Sequence, residues 1–218
     1  MQVEYTDAHW RLLTKKRKMA LDLLYNLKKL GLIGFVYGSV ARGDVNEKSD
    51  IDIVIFEPNY ILLDTLNVHH KYIIQPTPWS TPKAYLSLDE DEKVVISFPL
   101  GKLKRDEVEF YNFGGLVGIE DLENNKRVPG VNKKLYIIEP TDYGHMEISL
   151  QGNEDYASKL LKISVNTIRE REALLMKRKE SGHSGIYLRY DISGDDTIYD
   201  VINKLYKTNK YFRRMINV

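Results

Sequence analysis

The sequence predicts an α+β fold. Three observations carry that expectation: an amphipathic run at the N-terminus, a series of short β-rich runs punctuated by turn residues between 32 and 113, and a change to helix-forming composition near residue 148. Two domains are expected, 1–147 and a C-terminal helical domain over 148–218.

Thr6 reads as an N-cap. Trp10, Leu13, Ala20, Leu24 and Leu27 fall on one face at helical spacing, and Gly31 is a stop signal, so a first helix is predicted over about 7–30. The run KKRK at 15–18 reads as part of its solvated face. Leu32 to Tyr37 is short, apolar and β-branched or aromatic, and SDIDIVIFEP reads as a second strand ended by Pro58.

A short helix near 60–67 and a strand at 71–75 follow, then the proline-broken PTPWSTP. KAYLSLDEDEKVVISF reads as a hairpin with an acidic turn, and DEVEFYNFGG as another strand before an irregular excursion over 114–132. KKLYIIEP is a further strand. After it, NEDYASKLLK and SVNTIREREALLMKRKESG read as two helices about a tight turn at Ile163 and Ser164, with Asn153 and Ser164 as caps. SGIYLRYDI reads as a strand and DDTIYDVINKLYKTNKYFRRMI as one last helix. Helix, turn, helix and β element is the order of a winged helix-turn-helix.

Composition narrows the chemistry. The 218 residues include 43% hydrophobics, enough for a core, and 32 Lys and Arg stand against 31 Asp and Glu, so any polyanion must be met by local patches. The absence of cysteine removes disulfides, thiolate metal sites and thiol catalysis. His9, His69, His70, His145 and His183 have no metal-ligand spacing. A signal-peptide core and a membrane-length apolar run are both missing, so a soluble cytoplasmic protein is expected. Catalysis would fall to carboxylates, hydroxyls, Lys and Arg.

Those residue types converge in GFVYGSVARGDVNEKSDIDIVIF, residues 34–56. Strand alternation sends Asp50 and Asp52 to one face and Ile51 and Ile53 to the other. Two half-buried carboxylates one strand pitch apart repel unless cations join them, and hard divalent ions with oxygen ligands are the natural partners. Upstream, Gly38 permits close backbone approach, while Ser39 and the following N–H groups can donate to phosphate oxygens. Arg42 offers a charged fork, and Lys48 lies on the same loop. GDVNEKS is no Walker A loop, since its second glycine is missing and it precedes a strand.

A hydrophobic strand, Gly-Ser, ten residues and then Asp-h-Asp resembles the signature of the DNA polymerase β superfamily of nucleotidyltransferases, at Gly38, Ser39, Asp50 and Asp52. The fuller run GSVARGDVNEKSDID, with Arg42, Gly43 and Ser49, is similar to the minimal nucleotidyltransferases of prokaryotes, and the layout resembles the predicted nucleotidyltransferases of archaea. The resemblance implies a polymerase-β-like mixed sheet flanked by helices, an NTP donor with ATP the first choice, and two Mg²⁺ ions, replaceable by Mn²⁺, on the acidic pair.

It also implies a third carboxylate on a later strand. Glu109 is the chosen residue, with Asp106, Glu107 and Asp89 as alternatives. Asp50, Asp52 and Glu109 are then the catalytic, metal-binding set, and Gly38, Ser39, Arg42 and Lys48 the nucleotide-binding set.

For the acceptor, Lys204, Tyr206, Lys207, Lys210, Tyr211, Phe212, Arg213 and Arg214 interleave charge and aromatic rings in a way suited to nucleic acid. Transfer to an RNA end such as tRNA is the first expectation. Transfer to a protein or small-molecule hydroxyl is an alternative, as is a winged-helix DNA-binding regulator carrying a nucleotide-sensing or inactive transferase domain.

Overall fold

The computed structural model describes residues 1–182 and 185–217. His183 and the first residue of the expected strand SGIYLRYDI, Ser184, lie outside the described residues, as does Val218. In chain order the elements are β1 (Gln2–Glu4), α1 (Asp7–Lys29), β2 (Gly34–Tyr37), α2 (Ser39–Arg42), β3 (Ile51–Ile55), α3 (Tyr60–Asp64), β4 (His70–Gln75), β5 (Lys83–Ser87), β6 (Val94–Pro99) and α4 (Arg105–Gly114). The remainder are β7 (Leu116–Val117), α5 (Ile119–Glu123), β8 (Gly130–Val131), β9 (Tyr136–Thr141), β10 (Gly144–Ser149), α6 (Glu154–Leu161), α7 (Val165–Ser181), β11 (Leu188–Ile192), α8 (Ile198–Thr208) and α9 (Lys210–Ile216).

The chain forms two compact units, both discontinuous in sequence. One comprises Met1–Tyr25, Phe35–Ile51 and Arg105–Ser184, the other Asn26–Gly34, Asp52–Lys104 and Gly185–Val218. The mixed α+β architecture agrees with the expected fold class.

In the first unit, α1 starts where Thr6 accepts a bond from the His9 N–H at 3.1 Å, and it buries Leu13, Ala20 and Leu24. Strands β1, β10, β9 and β8 form an antiparallel sheet, with Val3 opposite His145 and Glu147 opposite Ile138. A core of Phe113, Val131, Ile137, Leu150, Ala157, Leu161, Ile163 and Ile168 holds α4, β8, β9, α6 and α7 together. Lys162 in the left-handed region and Ser164, whose hydroxyl accepts from the Asn166 N–H, make the tight α6–α7 turn that the sequence predicts.

Residues 106–114 depart from the expected strand and are helical. Apolar residues at 108, 110, 111 and 113 fit either period, and their β-branched and aromatic character suggests a strand. Burial of Glu109, Tyr111 and Phe113 against the unit decides for α4. Two local signals agree with the helix: Asp106 and Glu107 in its first turn, and Gly115 at φ +93° just beyond its end.

In the second unit, β11, β4, β5, β6 and β3 follow one another across a sheet, and the β4–β5, β5–β6 and β11–β4 pairs are antiparallel. The predicted hairpin is β5–β6. Asp89 closes its acidic turn by accepting from the Lys93 and Val94 N–H groups. β11 pairs with β4 instead of forming a wing hairpin, so the expected winged arrangement after α7 is not what this segment builds.

The last helix is two helices. Asn209 is extended, and its side chain caps α9 by accepting from the Phe212 N–H at 3.0 Å. Asp64 accepts from the Ile198 N–H at 3.1 Å and so caps α8 from α3. No helix among the described residues is long and apolar enough to cross a membrane.

Two predictions follow from this packing. A Cβ at Gly144 would stand 2.0 Å from the Val3 carbonyl oxygen, so Gly144→Ala forces β1 off β10. It should cost about 2–3 kcal/mol in urea unfolding and speed amide exchange at residues 2–4. The Arg189 guanidinium, with His70, holds the Glu92 carboxyl down to about 2 from 4.5. The folded pKa is depressed, so this contribution is present above about pH 4.5 and is lost as pH falls toward about 2. Arg189→Met should flatten that acid limb of the unfolding midpoint.

Candidate active site

The motif begins where β2 ends. Gly38 has φ 90° and ψ −148°, a conformation closed to residues with a side chain, and a Cβ there would meet nothing within 4 Å. Glycine is therefore required by the backbone and not by crowding, and the space beside it is open. Its N–H donates to the Gly115 carbonyl at 3.0 Å, and its own carbonyl accepts from the N–H groups of Ala41 and Arg42, closing the single turn of α2. The N–H groups of Ser39 and Val40 open that turn, ahead of its first intrahelical bonds. Gly43 ends it at φ 116°, where a Cβ would come within 2.8 Å of Arg127.

The loop from 38 to 49 is braced from α1. Arg17 is 8% exposed and donates to the carbonyls of Val40 at 2.8 Å, Ala41 and Lys126. Burial, with the nearby charge of Arg127, pulls its pKa down to about 10. Lys16 donates to the Ser49 carbonyl at 2.8 Å, directly before the acidic pair, and His9 Nε2 donates to the Gly43 carbonyl at 2.8 Å. Within the loop, the Ser49 hydroxyl accepts from the Asn46 N–H and the Asn46 side chain accepts from the Lys48 N–H.

The KKRK run is thus half solvated face and half brace, which the charge pattern alone does not reveal. Position does carry a signal: Arg17 lies four residues after Leu13 and three before Ala20, inside the apolar stripe.

Asp50 and Asp52 are half-buried, whereas Ile51 and Ile53 are 2% and 0% exposed. The alternation of burial is the one expected, with Asp50 directly before β3 and Asp52 its second residue, about 7 Å apart along an extended backbone. Farther along, Val54 and Ile55 are both fully buried, so the carboxylates stand at the open end of β3. The Ser97 hydroxyl donates to the Ile53 carbonyl at 3.2 Å. The Tyr85 hydroxyl is pushed up to about 12 by burial and by the charge of Asp52, which marks Tyr85 as a near neighbour of the pair.

The other expected site residues are placed differently. Arg42 is 6% exposed, with its guanidinium forked on Asp44 at 2.9 and 3.0 Å and donating to the Gly114 carbonyl at 2.7 Å. It joins α2 to the end of α4 and is not presented to a ligand as a free phosphate fork. Lys48 is exposed.

Glu109, expected on a strand beside the acidic pair, lies in α4. One of its oxygens accepts from Arg105 at 3.0 Å and the other from the Ser164 N–H at 2.9 Å. Burial alone would raise its pKa, but bonds from Thr167, Ser164 and Arg105 outweigh that and hold it below the usual range. Glu109 therefore anchors α7 to α4. Of the alternatives, Asp89 is engaged in its own turn, and Asp106 and Glu107 open α4. Among the described residues, no three His, Cys, Asp or Glu side chains group as a metal site.

Residues 28–128, which hold this motif, match the family described as nucleotidyltransferase domain. The match spans 101 of the 218 residues and agrees with the polymerase-β-like signature at Gly38, Ser39, Asp50 and Asp52. No curated protein and no solved structure matches the chain.

The brace can be tested by substitution. Arg17→Met removes its bonds to the Val40 and Lys126 carbonyls and should cost about 3 kcal/mol, two charge-assisted bonds at about 1.5 kcal/mol each. Lys16→Met, which removes one bond at a half-buried position, should cost about 1 kcal/mol. Chemical unfolding of both variants measures the difference.

Proposed function

We propose that the protein transfers a nucleoside monophosphate from an NTP, ATP first, to an acceptor hydroxyl, and that the acceptor is a nucleic-acid end. The observation that carries this reading is the glycine-locked turn at Gly38-Ser39, with open space beside it, followed in the same motif by two outward, half-buried carboxylates on β3. The acceptor oxygen bonds to the α-phosphorus, the bond from that phosphorus to the bridging oxygen breaks, and pyrophosphate leaves while the hydroxyl proton passes to water. Ser39 and the adjacent N–H groups hold phosphate oxygens, and Lys48 lies on the same loop to add positive charge.

The donor set fits a hard divalent cation. Asp50 and Asp52 supply two carboxylates, and Mg²⁺ binds characteristically through one or two carboxylates completed by substrate phosphates and water. Such an ion, with Mn²⁺ as a substitute, neutralises phosphate charge when bound. The residues support one ion held by Asp50 and Asp52. A second, resting on Glu109, has no third carboxylate in the group.

Three outcomes are expected. Label from α-³²P-NTP should reach an acceptor in a reaction that Asp50→Asn and Asp52→Asn each slow by about 10³, the several kcal/mol a metal clamp provides; no label on RNA, DNA or protein overturns the reading. Mn²⁺ titration by electron paramagnetic resonance with a non-hydrolysable ATP analogue should count about one ion per chain. Glu109→Gln should lower thermal stability yet leave the transfer rate within about threefold.

A further inference from the structure

We propose that the surface around Trp79 and Tyr211 is a stacking platform for single-stranded nucleic acid, which on the transferase reading above is the acceptor strand. Trp79 is 57% exposed at the tip of the loop after β4, an unusual position for the largest apolar side chain. The loop is firmly built. The fully buried Gln75 donates to the carbonyls of Pro78 at 3.3 Å and Ser80 at 3.2 Å, the Thr77 and Ser80 hydroxyls meet at 2.7 Å, and Lys104 donates to the Trp79 carbonyl at 2.6 Å.

Gln75 also donates to the Tyr211 carbonyl at 3.4 Å, which fixes α9 beside the loop. The Trp79 and Tyr211 rings meet edge to face at 5.5 Å, and Tyr187 meets Tyr211 at 5.9 Å. Tyr187 is 37% exposed and is held by a bond from its hydroxyl to Asn209. Phe212 and Met215 face inward from α9, leaving Lys210 and Arg214 exposed, each within 6 Å of the Tyr211 ring.

Charge identifies the occupant. Segments 76–86, 100–104 and 203–217 hold eight Lys and Arg, among them Lys102, Lys204, Lys207, Lys210, Arg213 and Arg214, and no Asp or Glu, whereas the whole chain holds 32 Lys and Arg against 31 Asp and Glu. The segments meet: Thr81 donates to the Lys102 carbonyl at 3.2 Å, and Gly101 lies so close to α9 that a Cβ would approach the Met215 carbonyl oxygen to 2.7 Å. Arg213 donates to the Tyr206 carbonyl and Lys204 to the Tyr190 hydroxyl, both neutral groups. Exposed rings flanked by the cations Lys210 and Arg214 fit unpaired bases on a phosphate chain. Bases in a duplex are stacked on one another and do not offer their faces to such rings.

The test is fluorescence anisotropy of the full chain with labelled 12-nucleotide single-stranded RNA, the same DNA strand and the corresponding duplex. Single strands should bind more tightly than duplex, and the RNA and DNA arms identify which acceptor the surface takes. Trp79→Ala should weaken strand binding about tenfold while Trp79→Phe retains most of it, and Lys210→Gln and Arg214→Gln should each reduce the salt slope by about 0.7. Preference for duplex, indifference to Trp79→Ala, or equal displacement by an acidic peptide of matched charge overturns the platform. Mn²⁺ binding with the ATP analogue, measured on the same protein, separates the two claims: its loss with strand binding intact overturns the transferase reading alone.

Discussion

A buried guanidinium at Arg17 is the interaction on which the site's geometry depends. It reaches from α1 to the carbonyls of Val40 and Ala41, groups that a one-turn helix cannot satisfy by itself. A four-residue helix has almost no intrinsic stability, so α2 holds its shape only because its ends are tied. Arg17 ties one end, and the Gly38 N–H bond to Gly115 ties the other. The cost is visible in the lowered pKa of Arg17, a cation buried among carbonyls and near the like charge of Arg127, which the charge of Asp121 only partly offsets.

From that anchor the loop proceeds through two glycines whose positive φ angles no other residue adopts cheaply, past the bond from His9 to Gly43, to Ser49 under Lys16. The chain then enters β3 with Asp50 and Asp52 turned outward by the same pleat that buries Ile51 and Ile53. Each chemical feature thus rests on an apolar one. The carboxylates are positioned by isoleucines, and the Gly38-Ser39 turn is braced by a helix whose buried stripe holds Leu13, Arg17, Ala20 and Leu24. Arg42 and Glu109 belong to this framework, joining α2 to α4 and α4 to α7.

The motif was legible in the sequence because its logic is local. Strand alternation, a glycine at a strand end and a cap at Thr6 or Ser164 depend on neighbours within a few residues, and those expectations agree with the structure. Residues 106–114 were harder to read, because their apolar spacing fits both periods, and the acidic first turn and Gly115 are weak local signals beside the packing that accompanies the helix. The break at Asn209 was missed for a related reason: Phe212 and Met215 continue the apolar pattern of α8, and the cap that interrupts it is a single side chain.

The sequence by itself determined the Gly38-Ser39 turn, the outward Asp50 and Asp52 pair and the family to which they point, since backbone conformation and strand period are set by adjacent residues. Only the tertiary structure decided that Arg17 and Lys16 serve the loop, that Glu109 serves α7, that β11 joins β4, and that Trp79 stands beside Tyr211. These depend on contacts between residues far apart in the chain, where burial and the need to satisfy polar groups override what either segment would do alone.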